Sequence, residues 1–492
     1  MNIRLHFTDD RTFMNSIIWF RQDLRLIDNP ALVGASDNAE VLPVYIYDTS
    51  TPDNARLGGA SDWCLHHALQ ALNKALNNNL LILKGNPSKI IPQLMDEHNI
   101  DSVHWNRMYE PWARERDSEL KSVIKESGKI AKSYNGSLLW EPMDVLKKDG
   151  TPYKVFTPYY RKGCLSKSHP RYPLAKPELS FIKTKDSAED CSLKALDIDS
   201  LNLLPTIPWD AEMKKLWDIS EAGAQDRLSR FLNDAIKDYN DGRNIPSIEG
   251  TSKLSPYFHF GIMSPNQAWY SILDFFGGNT ENKGVDVYLS ELGWREFSYY
   301  LLYHFPHIQT DNFNAKFNKF PWRTDSKALK AWQSGNTGIP IVDAGMRELY
   351  RTGYMHNRVR MIVGSFLVKN LLIDWREGER WFWDCLLDAD SASNAASWQW
   401  VAGSGADASP YFRIFNPILQ GEKFDKQGEY VKHYCPELND LPAKYVHQPW
   451  NAPQDILSQA KVTLGEEYPA PIVDLKVSRQ RALDAFAETK GE

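Results

Sequence analysis

At 492 residues the chain is long for one hydrophobic core, and two or more packed units are expected. Its 42% hydrophobic and 24% charged residues suit an ordinary globular protein, and no run approaches the roughly 20 apolar residues that a membrane-spanning helix needs. A net charge of −6 excludes a generally basic nucleic-acid coat, so any DNA contact must come from a local patch. The N-terminus carries acids where a secretory leader would carry an apolar block, which predicts a cytoplasmic address. Cys64, Cys164, Cys191, Cys385 and Cys435 form no CxxC pair; they read as reduced thiols, and no metal site is expected.

Along the chain, residues 1–15 read as an N-terminal extension, with Met14 an equally suitable start. From 16 to 145, short apolar runs at 17–20, 41–47, 80–83 and 102–105 read as buried strands separated by helical patterns. Asp28-Asn29-Pro30 is a helix start signal, and Trp63, Leu65, Ala68, Leu69, Leu72 and Leu76 mark one helix face. This alternation predicts a doubly wound, Rossmann-like parallel sheet, with any ligand at the carboxyl ends of the strands. No GxGxxG follows a strand, so the fold alone does not make this unit a nucleotide binder. Residues 146–208 lose periodicity and become rich in Pro, Ser and Lys, which predicts an interdomain linker. From 209 to 475 the patterns at 222–239, 266–276, 285–304, 341–352, 358–372 and 377–387 are helical, giving an all-α second unit; 476–492 is read as a tail.

Only five of the 17 tryptophans precede residue 206, so the helical unit is the aromatic one. Most tryptophans pack cores, although indole is also one of the more easily oxidised side chains. Gly250-Thr251-Ser252-Lys253-Leu254-Ser255 precedes an apolar helix, where hydroxyls and backbone N–H groups can converge on a phosphate; taken alone, Thr-Ser at such a place is more often just a cap. Asp388-Ala389-Asp390 taken alone is a solvated loop, and Asn394 a turn residue.

WFRQDLR at 19–25, GIPIVDAGMRELYRTGYMHNRVRM at 338–361, FLVKNLLIDWREGERWF at 366–382 and SPYFRIFNPILQGEKFD at 409–425 change those readings. Over about 17–473 the chain resembles the photolyase/cryptochrome family, most closely its class I cyclobutane pyrimidine dimer photolyases. The resemblance implies an α/β antenna domain at 16–145 and a helical FAD-binding, catalytic domain at 209–475, with a U-shaped flavin under a DNA-facing cavity. It implies light-dependent splitting of pyrimidine dimers by electron transfer from photoexcited, reduced anionic FAD to a flipped-out lesion. A blue-light photoreceptor without repair activity, a six-four photolyase, and a flavin- or nucleotide-binding redox protein unrelated to DNA are the alternatives. Both members of the Trp294 and Trp400 wedge argue against the last, and the short stretch beyond the matched region argues against a signalling member.

By the same resemblance Tyr239, Thr251, Ser252, Lys253, Leu254 and Ser255 surround the FAD phosphates and ribose. Arg360 pairs with Asp388 beside the isoalloxazine, Ala389 and Asp390 line it, and Asn394 faces flavin N5, where it favours the anionic reduced form. Trp398, Trp375 and Trp322 correspond to an electron route to the surface. Trp294 and Trp400 would stack on the flipped dimer, Glu291 and Asn357 bond its pyrimidine edges, Met361 packs on it and Arg295 joins them. Glu291 would also donate a proton. Six-four photolyases carry His where Asn357 and Met361 stand, which disfavours that activity. Arg243, Arg358, Gln420 and, more weakly, Arg413 are phosphate or flanking contacts that position rather than read sequence. Folate-binding members carry Glu where Ala113 stands, so methenyltetrahydrofolate, 8-hydroxy-5-deazaflavin, a flavin or no second pigment all stay open. UV-damaged DNA is the expected partner, and a cytoplasmic monomer, nucleoid-associated on DNA, is the expected state.

Overall fold

The computed structural model describes residues 14–37, 39–182, 193–408 and 412–489. The extension at 1–13, Cys191 and the last three residues of the tail lie outside them.

Apolar runs buried on both faces build a parallel sheet. Its strands are β1 (Met14–Phe20), β2 (Ala39–Asp48), β3 (Leu81–Gly85), β4 (Ser102–Asn106) and β5 (Ile130–Tyr134), in the order β3-β2-β1-β4-β5. Ile17 lies opposite Leu42 on one side and Val103 on the other. Between the strands run α1 (Pro30–Ser36), α2 (Gly59–Ala75), α3 (Pro87–Glu97) and α4 (Pro111–Glu126). Asn29 caps α1 by accepting the Leu32 N–H at 3.1 Å, as the Asn-Pro signal requires. Four strands coincide with the apolar runs. The fifth was not foreseen, because only Ala131 in it is buried and an edge strand with one covered face shows no continuous apolar run.

The second unit is helical, and its site-bearing members are α5 (Glu221–Asp234), α6 (Pro265–Phe275), α7 (Lys283–His304), α8 (Pro340–Thr352), α9 (Asn357–Ser365), α10 (Trp375–Cys385), α11 (Ser391–Ala402), α12 (Pro417–Phe424) and α13 (Leu475–Glu488). Side-chain caps start several of them: Asn282 for α7, Asp374 for α10 and Asp390 for α11. The single helix expected at 358–372 is two pieces, α9 and a wider π-type turn at Phe366–Leu371 that ends on left-handed Leu372. Among the described residues no helix is long and apolar enough to cross a membrane, and no group of His, Cys, Asp or Glu could hold a metal.

Parts of the connecting segment, among the described residues, are packed. Its turn at Pro158–Leu165 buries Tyr159, Tyr160 and Cys164, and Val41 of β2 bridges to Phe181. The two units are also joined directly. Arg25, fully buried, donates to the carbonyls of Asp28 and Gly136 on the α/β side and to Gly261 at 2.9 Å on the helical side. Glu221 accepts the N–H groups of Leu26 and Ile27 at 2.8 and 3.1 Å. Gly261 is required there, because its φ of +60° is left-handed and a Cβ would stand 2.2 Å from the Gln22 carbonyl.

Candidate active site

Three helices and one loop converge on the site. Tyr239 is buried, with its ring edge-on to Tyr288 of α7 at 5.1 Å. The loop 250–255 crosses beside it: Gly250 lies against the Gly242 backbone, and the Tyr288 hydroxyl donates to Ser252 Oγ at 2.9 Å. Thr251 Oγ1 is 3.5 Å from the Tyr354 hydroxyl. Lys253 adopts a left-handed φ of +51° and pairs with Glu249, and Leu254 is buried under the start of the Ser255–His259 helix.

Arg360 of α9 donates to Asp388 Oδ2 at 2.9 Å and to the Met355 carbonyl at 2.7 Å. The other Asp388 oxygen is buried without a partner, as is the Ser391 hydroxyl. Ala389 is buried, and Asp390 spends its carboxylate on capping α11, accepting the Ser393 N–H at 2.7 Å. Burial pushes the Asp390 carboxyl up, against the Ser393 bond and the Arg295 charge. Asn394, buried one turn along α11, donates its amide N–H to the Glu379 carbonyl at 3.1 Å and so keeps its oxygen as an acceptor.

Basic side chains crowd the site, and Lys253, Arg243 and Arg360 are each paired with a carboxylate. Burial, followed by Lys253, Arg358, Arg360 and Arg243, drives the His356 imidazole down to about 3, so it stays neutral amid four basic side chains, with Nε2 unpartnered. These groups fit FAD. The cations suit its diphosphate, and the unpaired Asp388 oxygen and Ser391 hydroxyl suit ribityl and ring N–H groups.

Burial also pushes the Glu379 carboxyl up to about 8. Between the ordinary carboxylate range and pH 8 the folded state holds a proton that the unfolded chain has lost, so this residue makes stability fall as pH rises through that window. Glu379→Gln should therefore gain thermal stability over the parent as pH is raised from 5 to 8, read from paired melting curves. A constant difference across the series would refute the assignment.

Toward solvent, Arg243 forms an ion pair with one carboxylate oxygen of Glu291 of α7. Trp294 and, on α11, Trp400 are half-buried. Asn357 is exposed at the start of α9, and Met361 is half-buried one turn on. Arg358 lies over the Phe424 ring at 4.5 Å and bonds Asn244. Gln420 is half-buried on α12, and Arg413 is exposed. Arg295 is not with them: it donates to the Ser137 carbonyl at 2.9 Å and to Glu296, inside a seam pocket shared with Gln22, Asn106, Glu110 and His259. Successive residues of α7 leave the helix in different directions, so Arg295 faces the α/β unit while Trp294 does not follow it into the seam.

Of the three tryptophans, Trp398 and Trp375 are buried and Trp322 is half-buried. Trp398 lies flush on α10, where a Cβ at Gly378 would stand 2.1 Å from its ring. Trp375 donates to Asn312 at 3.0 Å, and Trp322 packs on Phe320 at 4.3 Å in the aromatic cluster that also holds Phe486 of α13. Between Trp398 and Trp400, Gln399 is pinned by bonds to the backbone at Ile308, Asp311 and Phe313. Tyr288, Tyr354, Glu379 and the buried Trp332, 6.1 Å from Trp398, escaped the sequence reading. Tyr288 and Trp332 are ordinary core types at helical spacing, Tyr354 sits in a loop and Glu379 reads as a surface charge, so no local signal singles any of them out.

Two family models match: DNA photolyase at 16–178 and the FAD-binding domain of DNA photolyase at 288–488. A deoxyribodipyrimidine photo-lyase of Agrobacterium fabrum is 47% identical over 479 residues, covering 96% of this chain and 98% of the relative. Cryptochrome-2 of Arabidopsis thaliana is 36% identical, covering 96% of this chain and 79% of its own. The solved structure of a bacterial class III photolyase from Agrobacterium tumefaciens superposes with a TM-score of 0.92 at 45% identity, over 99% of this chain and all of that one. The chain belongs to the photolyase/cryptochrome family.

Proposed function

We propose that the protein is a light-dependent DNA repair lyase that splits cyclobutane pyrimidine dimers. Its support is one concentration of side chains. Trp294 and Glu291 on α7, Trp400 on α11 and Asn357, Arg358 and Met361 on α9 are all at least partly exposed, and α9 and α11 also carry Arg360, paired with Asp388 of the turn before α11, and Asn394. Flipping a damaged base costs a few kcal/mol, and stacking on an aromatic ring contributes about 1 to 3 kcal/mol per base, so two half-buried indoles can offset the extrusion.

Tyr239, the 251–255 loop, Arg360, Asp388, Ala389, Asp390 and Asn394 would hold FAD. When bound and reduced, FAD supplies a light-excited one-electron donor. The chain supplies the rest. Lys253, Arg360 and the surrounding cations offset negative charge, and the unpaired Asp388 oxygen orients by accepting a hydrogen bond. Asn394 offers a neutral oxygen and no exchangeable acid proton. Glu291 and Asn357 meet the pyrimidine edges, while Arg243, Arg358 and Gln420 contact flanking phosphates. Trp398, Trp375 and Trp322 form the reducing route.

Where the motifs alone suggested class I, the 45% identical neighbour favours class III, and we place the chain there. A second pigment, methenyltetrahydrofolate or 8-hydroxy-5-deazaflavin, is proposed in the α/β unit; the buried Ala113 supplies no carboxylate at the seam position. The units are proposed at 16–145 and 209–475, with β1 starting slightly earlier at Met14 and α13 carrying the helical unit on to Glu488. The protein acts on UV-damaged DNA as a cytoplasmic monomer.

The test is loss of a cyclobutane thymine dimer from an oligonucleotide incubated with reduced protein in light and in darkness. Light-dependent loss is expected. Equal dimer content in both arms would overturn repair and favour the photoreceptor reading suggested by the likeness to Cryptochrome-2.

A further inference from the structure

Phe156 lies in the segment between the two units, outside the motifs that carry the family likeness. Its buried ring is stacked on the indole of Trp294, with centroids 3.8 Å apart and planes within 11°. Tyr160 stacks on the same ring at 5.4 Å and 11°. Phe297, on α7 with Trp294, meets both Phe156 and Trp294 edge-on at 5.9 Å. The Tyr160 ring is seated by Gly293, where a Cβ would stand 2.6 Å from it. The Phe156 backbone is held as well: its N–H donates at 3.2 Å to Asp407, in the loop leaving α11. That loop is anchored under Trp400, since Gly405 donates to the Gln399 carbonyl at 2.9 Å.

An indole has two faces. Phe156 covers one of them on Trp294, and the residue is nevertheless only half-buried, so surface remains for a further stacking partner. Side chains that must be ordered on binding weaken affinity, and a platform already fixed avoids that cost.

Resting on the reading of Trp294 as a lesion-stacking residue, we propose that Phe156 is a positioning residue that pre-orders this indole for a flipped pyrimidine dimer. The ladder Tyr160–Phe156–Trp294 sets the plane of the platform, and the Asp407 bond ties it to the loop beside the second tryptophan. Phe156 itself touches no substrate. Its effect falls on capture of the lesion and not on the chemistry that follows.

The experiment compares Phe156→Leu, Phe156→Tyr and Trp294→Ala with the flavin-loaded parent. Binding is measured to one oligonucleotide with and without a cyclobutane thymine dimer, along with flavin content and repair rate at saturating dimer. Leucine keeps apolar volume but not the ring, and should weaken dimer binding by about two- to tenfold. Undamaged-DNA binding, flavin content and saturated rate should match the parent. Tyrosine restores the stack and should bind near the parent value, a rescue that simple core filling would not demand. Trp294→Ala should lose roughly tenfold or more. If Trp294→Ala binds the dimer as the parent does, the lesion-stacking reading falls and this proposal with it. If Trp294→Ala is weakened while Phe156→Leu is not, or if Phe156→Leu weakens undamaged DNA equally, the proposal alone is overturned.

Discussion

Asp388→Ala is expected to yield protein purified without FAD and less stable than the parent by about 3 kcal/mol, the scale for removing one partner of a buried ion pair. The Asp388 side chain is 6% exposed and holds Arg360 at 2.9 Å. Without it the guanidinium keeps the Met355 carbonyl and only the weaker attraction of Glu348. The free oxygen of Asp388 is lost at the same time, and with it the acceptor assigned to the flavin. Asp388→Asn keeps size and one acceptor, and should fall between the two. Flavin absorbance per mole of protein and thermal unfolding measure both effects. A fully flavinylated, equally stable alanine variant would remove Asp388 from the site.

Trp398→Phe is expected to slow light-driven reduction of bound FAD by about tenfold or more, equivalent to at least about 1.4 kcal/mol of barrier. The ring is buried against Phe382 at 4.9 Å and against the Gly378 backbone, so phenylalanine fits without overpacking. What it removes is the oxidisable indole next along α11 from Asn394. Trp332 stands 6.1 Å from Trp398 but on the side of Val363, whose carbonyl accepts its N–H. The measurement is flavin bleaching under blue light with an external thiol. An unchanged rate would take Trp398 out of the route.

The fold was legible where one physical cause acted alone. Strands covered on both sides show unbroken apolar runs, and Asn29-Pro30 caps a helix whatever surrounds it. Asp388, Asp390 and Asn394 alone read as a loop and were singled out only by the resemblance; the orphaned Asp388 oxygen is a feature that a solvated loop would not show. Less was legible where tertiary packing decides. β5 is an edge strand, Arg295 sits one residue from Trp294 yet points into the seam, and Phe156 lies in a stretch whose composition says linker. Composition averages over a segment, and a single buried ring within it leaves no periodic trace.

Arg25 carries a consequence for how such a chain can be recombined. Its guanidinium satisfies carbonyl groups from both units at once, with no water between. Cutting the chain between them would strand a buried cation on one side and leave Gly261 and Glu221 without their partners on the other. The halves are therefore not interchangeable cassettes. A hybrid that takes its sheet from one relative and its helices from another inherits function only if it also inherits this join, and the distance between any pigment in the sheet and the helical site is set when the chain folds.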